Sequence, residues 1–228
     1  MYAETNLHHL FPEPLNTITS CFFFILAIYW IIKLKVYSPN HAFLSVSSWL
    51  LLIGSIGGTV YHGLRKYPIF IPMDWVPILL LCLMCSIWLW TKVLGNRILG
   101  FGILLALFSV QYPISKLYEG RYSHLIMNVN YALMALSVIV PLILYLIKIR
   151  FGHYRWVLSA IISFVVALFF RVADGWGWLS VGTHFLWHAF GVAATASMFL
   201  FIYKLNEDLI VIYAEQKRDV KPEVIGLK

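Results

Sequence analysis

The chain has 228 residues, of which 61% are hydrophobic and only 12% charged, and its mean hydropathy is +0.81. A soluble domain carries about 45–50% apolar and about 25% charged residues, so disorder, a coiled coil and an ordinary water-soluble domain are excluded and a multi-span membrane protein remains. The net charge of +7 does not point to nucleic acid, because the 17 Lys and Arg are dispersed between apolar runs and build no basic stripe.

The opening Met1-Tyr2-Ala3-Glu4-Thr5-Asn6 is acidic and lacks a positive n-region, so no cleavable signal is expected and the first apolar run should remain as a span. A bilayer core needs about 20 apolar residues of helix. Seven stretches qualify in chain order: Leu15–Ile32, Ala42–His62, Asp74–Val93, Ile98–Ile114, Leu125–Ile147, Arg155–Val172 and Thr183–Lys204. Short loops between them predict an all-α integral membrane protein, a single antiparallel seven-helix bundle over residues 1–204. The remainder, 205–228, mixes charges with Leu209, Ile210, Val211 and Ile212 and is predicted to extend the last helix beyond the membrane before fraying. Cys21, Cys82 and Cys85 lie inside apolar stretches and read as small core residues rather than a disulfide framework. Pro141 reads as a kink, Asn128 and Asn130 as interhelical hydrogen bonders, and Trp176 and Trp178 as interface anchors.

Lys and Arg set the expected orientation. The side bearing the N-terminus carries Arg65, Lys66, Lys116, Arg121 and Arg171, and the other twelve of the 17 fall on the opposite side. The richer side should be cytoplasmic. The N-terminus is then expected outside or in a lumen and the C-terminal tail in the cytoplasm, in a plasma or inner membrane of a bacterium or an ER or Golgi membrane of a eukaryote.

Ionisable groups within spans cost about 2.5–3.5 kcal/mol each at a helix centre, so the few present are informative. His62 ends the second span, Asp74 begins the third, Arg171 and Asp174 end the sixth, and His184 and His188 open the seventh. A separation of four puts the last two rings on one helical face, one turn apart. Alternation of the spans brings His62, Asp74, His184 and His188 to the same end of the membrane. Three imidazoles with one open position make a catalytic zinc site. Haem fits poorly, because two histidines on one helical face cannot grip its opposite sides. His8, His9, His41, His124 and His153 share no such face, and His124 reads as interfacial. Arg171 and Asp174 read equally well as an ion pair or as support for the site.

Val60-Tyr61-His62, Met73-Asp74-Trp75 and Gly182-Thr183-His184-Phe185-Leu186-Trp187-His188 resemble, in this order, the motifs of a membrane superfamily. That superfamily includes alkaline ceramidases, adiponectin-type receptors and GPI-remodelling hydrolases. Glu13-Pro14-Leu15-Asn16-Thr17-Ile18-Thr19 resembles the E-x-x-N-T-x-S element of alkaline ceramidases, with Thr19 in place of Ser, and favours that branch. The resemblance implies zinc held by His62, His184 and His188, with Asp74 assisting the attacking water. It also implies a possible calcium ion near the N-terminus, with Glu13 one ligand and Glu4 and Asn6 candidates. The spacing to Glu13 is shorter here, and the acidic residue that opens the family segment is absent. The family Ser, one turn before the first histidine, is replaced by Gly58, so Thr59 or Ser55 is expected to supply the hydroxyl for a developing oxyanion.

The function expected on this basis is zinc-dependent hydrolysis of a lipid amide, foremost ceramide to sphingoid base and fatty acid, the substrate entering sideways from the bilayer. The alternative is a ligand-sensing receptor of the adiponectin type that keeps a structural or vestigial zinc. A transporter using His and Asp as a proton relay would need ionisable groups at more than one depth.

Overall fold

The structure, a computed structural model, describes residues 2–117 and 123–219, and within these it describes no side chain at 108, 110–115, 117, 123–132, 218 or 219. The side chains of His124, Asn128 and Asn130, together with Arg121 and the tail beyond Asp219, lie outside the described residues. Among the described residues the fold is all-helical. Its seven α-helices are α1 Pro14–Lys33, α2 Ala42–Leu64, α3 Phe70–Leu94, α4 Arg97–Leu117, α5 Ser123–Lys148, α6 Tyr154–Ala173 and α7 His184–Asp219. Short 3-10 turns at Pro39–His41 and Asp174–Trp176 precede α2 and follow α6.

Five of these segments, Pro14–Lys33, Pro39–Leu64, Phe70–Leu94, Tyr154–Trp176 and His184–Lys217, are long and apolar enough to cross a membrane. The shorter apolar stretches Arg97–Leu107 and Leu133–Lys148 belong to α4 and α5. The outward surface agrees: Ile25, Ile32, Val165 and Val172 are all more than half exposed, and so much apolar surface is at home in lipid rather than water. The chain is membrane-embedded.

The residues form two compact units. One comprises Met1–Trp75 and His153–Lys228, and the other Val76–Gly152. In the second, α4 packs on α5, Ser86 Oγ donates to the Ser137 carbonyl at 2.5 Å, and Lys148 Nζ donates to the carbonyls of Lys92 and Val93, the last two of which lie in the final turn of α3. Cys82 and Cys85 are free thiols on α3.

In the first unit α1 packs on α2 and α7, and α6 on α7. Trp30, Leu44, Val157, Phe201 and Ile202 are fully enclosed in its core, and Trp30 meets Phe199 edge-on. At 36 residues α7 is about 54 Å long at 1.5 Å per residue, well beyond a hydrocarbon core of about 30 Å. The helix predicted to continue past Lys204 does so through Asp219. Side chains hold this extension: His41 pairs with Glu207 at 3.0 Å and with the Asn206 amide, and His153 pairs with Asp208 at 2.7 Å.

Two small residues set how closely α2 and the start of α3 approach. A Cβ on Gly57 would stand 2.1 Å from the Met73 carbonyl oxygen, and one on Gly58 would stand 2.7 Å from Asp74 Oδ1. Only glycine admits that backbone-to-backbone contact, which brings the first turns of α3 against the last turns of α2. Gly57→Ala should therefore destabilise the protein, by about 1–3 kcal/mol or more for overpacking against backbone. Gly102→Ala, whose Cβ would meet nothing within 4 Å, should be neutral or slightly stabilising. Thermal unfolding of the two variants in one detergent checks this, and equal melting temperatures would remove the close approach as a constraint.

Candidate metal centre

α2 carries His62 one turn after Gly58, and α7 opens with His184 and His188 one turn apart. The three rings are 0%, 3% and 6% exposed, and their centroids lie 4.8–5.6 Å from one another. One ring nitrogen from each comes within 4.8 Å of the others. His62 Nε2, His184 Nδ1 and His188 Nε2 are buried without a hydrogen-bond partner. A buried polar nitrogen left unpaired costs about 1–3 kcal/mol. Three that converge make a set of imidazole donors that could hold a metal ion.

The opposite nitrogens of His62 and His188 are held. Glu13 Oε2 accepts from His62 Nδ1 at 2.5 Å, which leaves the Nε2 lone pair of a neutral ring facing the other histidines. Glu13 is completely buried, and its oxygens also accept from Thr5 Oγ1 at 2.5 Å, Arg65 Nε at 2.6 Å and Asn16 Nδ2 at 3.2 Å. Burial pushes its carboxyl pKa up. The hydrogen bonds from His62 and Thr5 and the charge of Arg65 outweigh that and hold it below the usual carboxylate value. Arg65 is the left-handed C-cap of α2, and its guanidinium also donates to the Tyr61 hydroxyl. His188 Nδ1 lies 3.4 Å from Ser20 Oγ.

Glu13 occupies the N-cap of α1, yet its side chain is turned to His62 and caps nothing. Glu4 does the capping from upstream: its oxygens accept from the amides of Leu15 at 2.5 Å and Asn16 at 3.0 Å, the second and third helical positions. Asp174 does the same for α7. Its Oδ1 accepts from the amides of Thr183 and His184 at 2.8 and 3.0 Å, and its Oδ2 accepts from Ala3 at 3.2 Å. Gly182, with φ +70°, makes the turn before it, where a Cβ would lie 2.2 Å from Asp174 Oδ1. Asp174 thus aims the residue that carries the first α7 histidine, while Arg171 lies over the Trp187 ring at 5.1 Å.

The N-terminal segment closes one side of the cluster. Tyr2 stacks on His184 with ring centroids 3.6 Å apart and planes 18° apart, and Arg65 lies 5.2 Å from its ring. Burial pushes the Tyr2 phenol pKa well up.

Of the residues singled out in the sequence, His62, His184 and His188 come together, and Asp74 reaches Gly58, one turn before His62, its carboxylate filling the space that Gly58 leaves open. Ser55 Oγ donates to the Leu52 carbonyl at 2.8 Å, and Thr59 Oγ1 pairs with Cys21 Sγ at 3.6 Å. Neither hydroxyl hydrogen-bonds to the histidines or Asp74. Glu4 and Glu13 have every carboxylate oxygen engaged by a protein donor, and Asn6 is exposed, with its oxygen taken by the His8 amide. The positions that sequence reading passed over are Ser20, Arg65 and Tyr2. For Ser20 a signal existed: it stands seven residues after Glu13, on the same face of α1.

Purified protein should hold about one divalent transition-metal ion per chain, and His188→Ala should lose it. Glu13→Gln should keep the fold and weaken metal affinity by about 10–100-fold, the usual effect of removing a carboxylate behind a ligating histidine. Elemental analysis and competition with a calibrated chelator read both.

No family model matches the chain, and no curated protein or solved structure matches it.

Proposed function

We propose that the chain is a zinc-dependent intramembrane hydrolase of a lipid amide, with ceramide the leading substrate. The observation that carries this reading is the convergence of three unpartnered imidazole nitrogens at the end of a membrane-embedded helix cluster, with one carboxylate, Asp74, against Gly58 one turn before His62. Three neutral nitrogen donors with room for one more ligand suit catalytic zinc, whereas structural zinc sites are closed by four protein ligands. The ordered motifs on the first, second, third and seventh helices, similar to those of alkaline ceramidases, add the substrate class.

Zinc bound there would polarise a carbonyl oxygen and bring the pKa of a water to about 7. His62, His184 and His188 would hold it, with Glu13 fixing the orientation of the His62 ring through its Nδ1. Asp74 takes one proton from the attacking water as the water oxygen bonds to the amide carbon and the carbonyl π pair moves onto its oxygen. When that pair returns, the C–N bond breaks with its electrons on nitrogen, and Asp74 returns the proton to the leaving amine. The sum is one amide and one water giving one carboxylic acid and one amine. A two-tailed substrate reaches the site sideways from lipid without exposing its chains. The seven helices act as seven spans in this reading, with the N-terminus outside or lumenal and the C-terminus cytoplasmic, as the Lys/Arg distribution favours.

Gly58 in place of the family Ser is the observation that favours a receptor with a structural or vestigial zinc. Turnover separates the two readings. Metal-loaded protein in lipid nanodiscs should release sphingoid base and fatty acid from ceramide in equal amounts over many cycles. Asp74→Asn should keep its zinc and lose about 10²–10⁴-fold in rate, the contribution of a general base. Absence of turnover on any lipid amide or ester by zinc-replete wild type would sink the hydrolase reading, and full activity in Asp74→Asn would sink the mechanism.

The orientation has its own check. A cysteine placed at Thr5 in a version lacking the three native thiols should react with an impermeant reagent added from outside the cell or from the lumen. Reaction from the cytoplasmic side alone would reverse the assignment.

A further inference from the structure

Hydroxyls inside apolar helices usually return their proton to a carbonyl one turn back. Thr17 donates to the Glu13 carbonyl, Thr19 to the Leu15 carbonyl, Ser48 to the Leu44 carbonyl and Ser55 to the Leu52 carbonyl. Ser20 does not. It is 2% exposed, and its one hydrogen-bond partner is His188 Nδ1 at 3.4 Å. His188 must present Nε2 to the other histidines with its lone pair free, so in the neutral ring Nδ1 carries the proton and Ser20 Oγ is the acceptor. The Ser20 proton is then not engaged by the protein.

That proton is also well placed. Ser20 Oγ lies 3.8 Å from the point where a Cβ on Gly58 would stand, and Asp74 Oδ1 lies 2.7 Å from the same point. The hydroxyl thus belongs to a space bounded by His188, Gly58 and the Asp74 carboxylate. A serine at position 58 would collide with Asp74. Ser20, entering from α1, reaches the edge of the same space. Resting on the hydrolase reading above, we infer that Ser20 is the hydroxyl of this site: it donates a hydrogen bond to the carbonyl oxygen of the scissile amide as that oxygen becomes anionic. No proton is transferred from Ser20, and no bond to it forms or breaks. Ser55 and Thr59, whose hydroxyls are paired elsewhere, have no part in this.

A lipid phosphonate, with a tetrahedral phosphorus in place of the amide carbon, tests the inference without turnover, because it presents the oxyanion that a donor of this kind recognises. Wild type and Ser20→Ala are loaded with zinc, their metal content is checked, and affinity for the phosphonate in mixed micelles is measured beside kcat and KM. Ser20→Ala should keep its metal, bind the phosphonate about 10²–10³-fold more weakly and lose kcat by the same factor with KM little changed, as for removal of one oxyanion donor. Ser20→Thr, which keeps the hydroxyl, should restore both, and Ser55→Ala and Thr59→Ala should match wild type. Equal phosphonate affinity in wild type and Ser20→Ala overturns the inference and leaves the hydrolase reading standing. Loss that excess zinc repairs also overturns it, since Ser20 would then only steady His188. A wild type that neither binds the phosphonate nor cleaves any lipid amide takes down both readings.

Discussion

A carboxylate in an apolar interior is tolerated only when its oxygens are met by donors, and Glu13 is met by four. Thr5 comes from the N-terminal segment, Asn16 from α1, and His62 and Arg65 from the end of α2. Each of these parts contributes a donor to the one buried carboxylate. Loss of any one would leave a buried charge less satisfied, a far larger cost than the net worth of the contact itself. The position of the N-terminal segment follows from this one group. With Glu13 turned inward, α1 has no cap of its own, and Glu4 is brought down onto the first amides of the helix. Tyr2 and Ala3 are then drawn to His184 and Asp174.

Small residues do the complementary work. Gly57 and Gly58 remove the side chains that would separate α2 from Met73 and Asp74, and Gly191 lets α7 approach the Phe23 ring on α1. In a membrane the hydrophobic effect gives helices little reason to associate, so close packing and buried polar contacts carry the association. In this unit both are concentrated around the histidines. The same approach that tightens the helices places a carboxylate one turn from a metal-ligand candidate, so packing and chemistry have one cause.

The helices were legible because apolar runs of bilayer length leave little choice: α1, α2, α6 and the start of α7 fall within two residues of their sequence bounds. The third began four residues earlier than expected, at Phe70 rather than Asp74, because Pro72 is tolerated in a first turn where its missing amide is not needed. The three histidines were legible from rarity and spacing. The roles of Glu4 and Asp174 were not, because capping across 11 and 10 residues of chain has no local pattern. Arg65 was hidden for a similar reason. On the sequence it is a loop charge that counts towards orientation, and only the left-handed end of α2 turns it back onto Glu13.

Gly58, where the resemblance to alkaline ceramidases would put a serine, shows how far motif reading reaches. Position by position, the missing hydroxyl looks like a lost function, and the nearest candidates along α2 are Thr59 and Ser55. Helical geometry disfavours both. Thr59 is rotated about 100° from Gly58, and Ser55 is most of a turn further from His62, where the Leu52 carbonyl takes its proton. A neighbouring helix is not bound by that spacing. α1 crosses the cluster with Glu13 and Ser20 seven residues apart on one face, and each reaches an Nδ1, of His62 and of His188. A helix that carries none of the three histidines can therefore fix the orientation of two of them. Because α1 contributes a hydroxyl of its own, a glycine on α2 that admits Asp74 closely, as Gly58 does, need not leave the site without one. The constraint is on the space the site encloses rather than on the chain position that fills it.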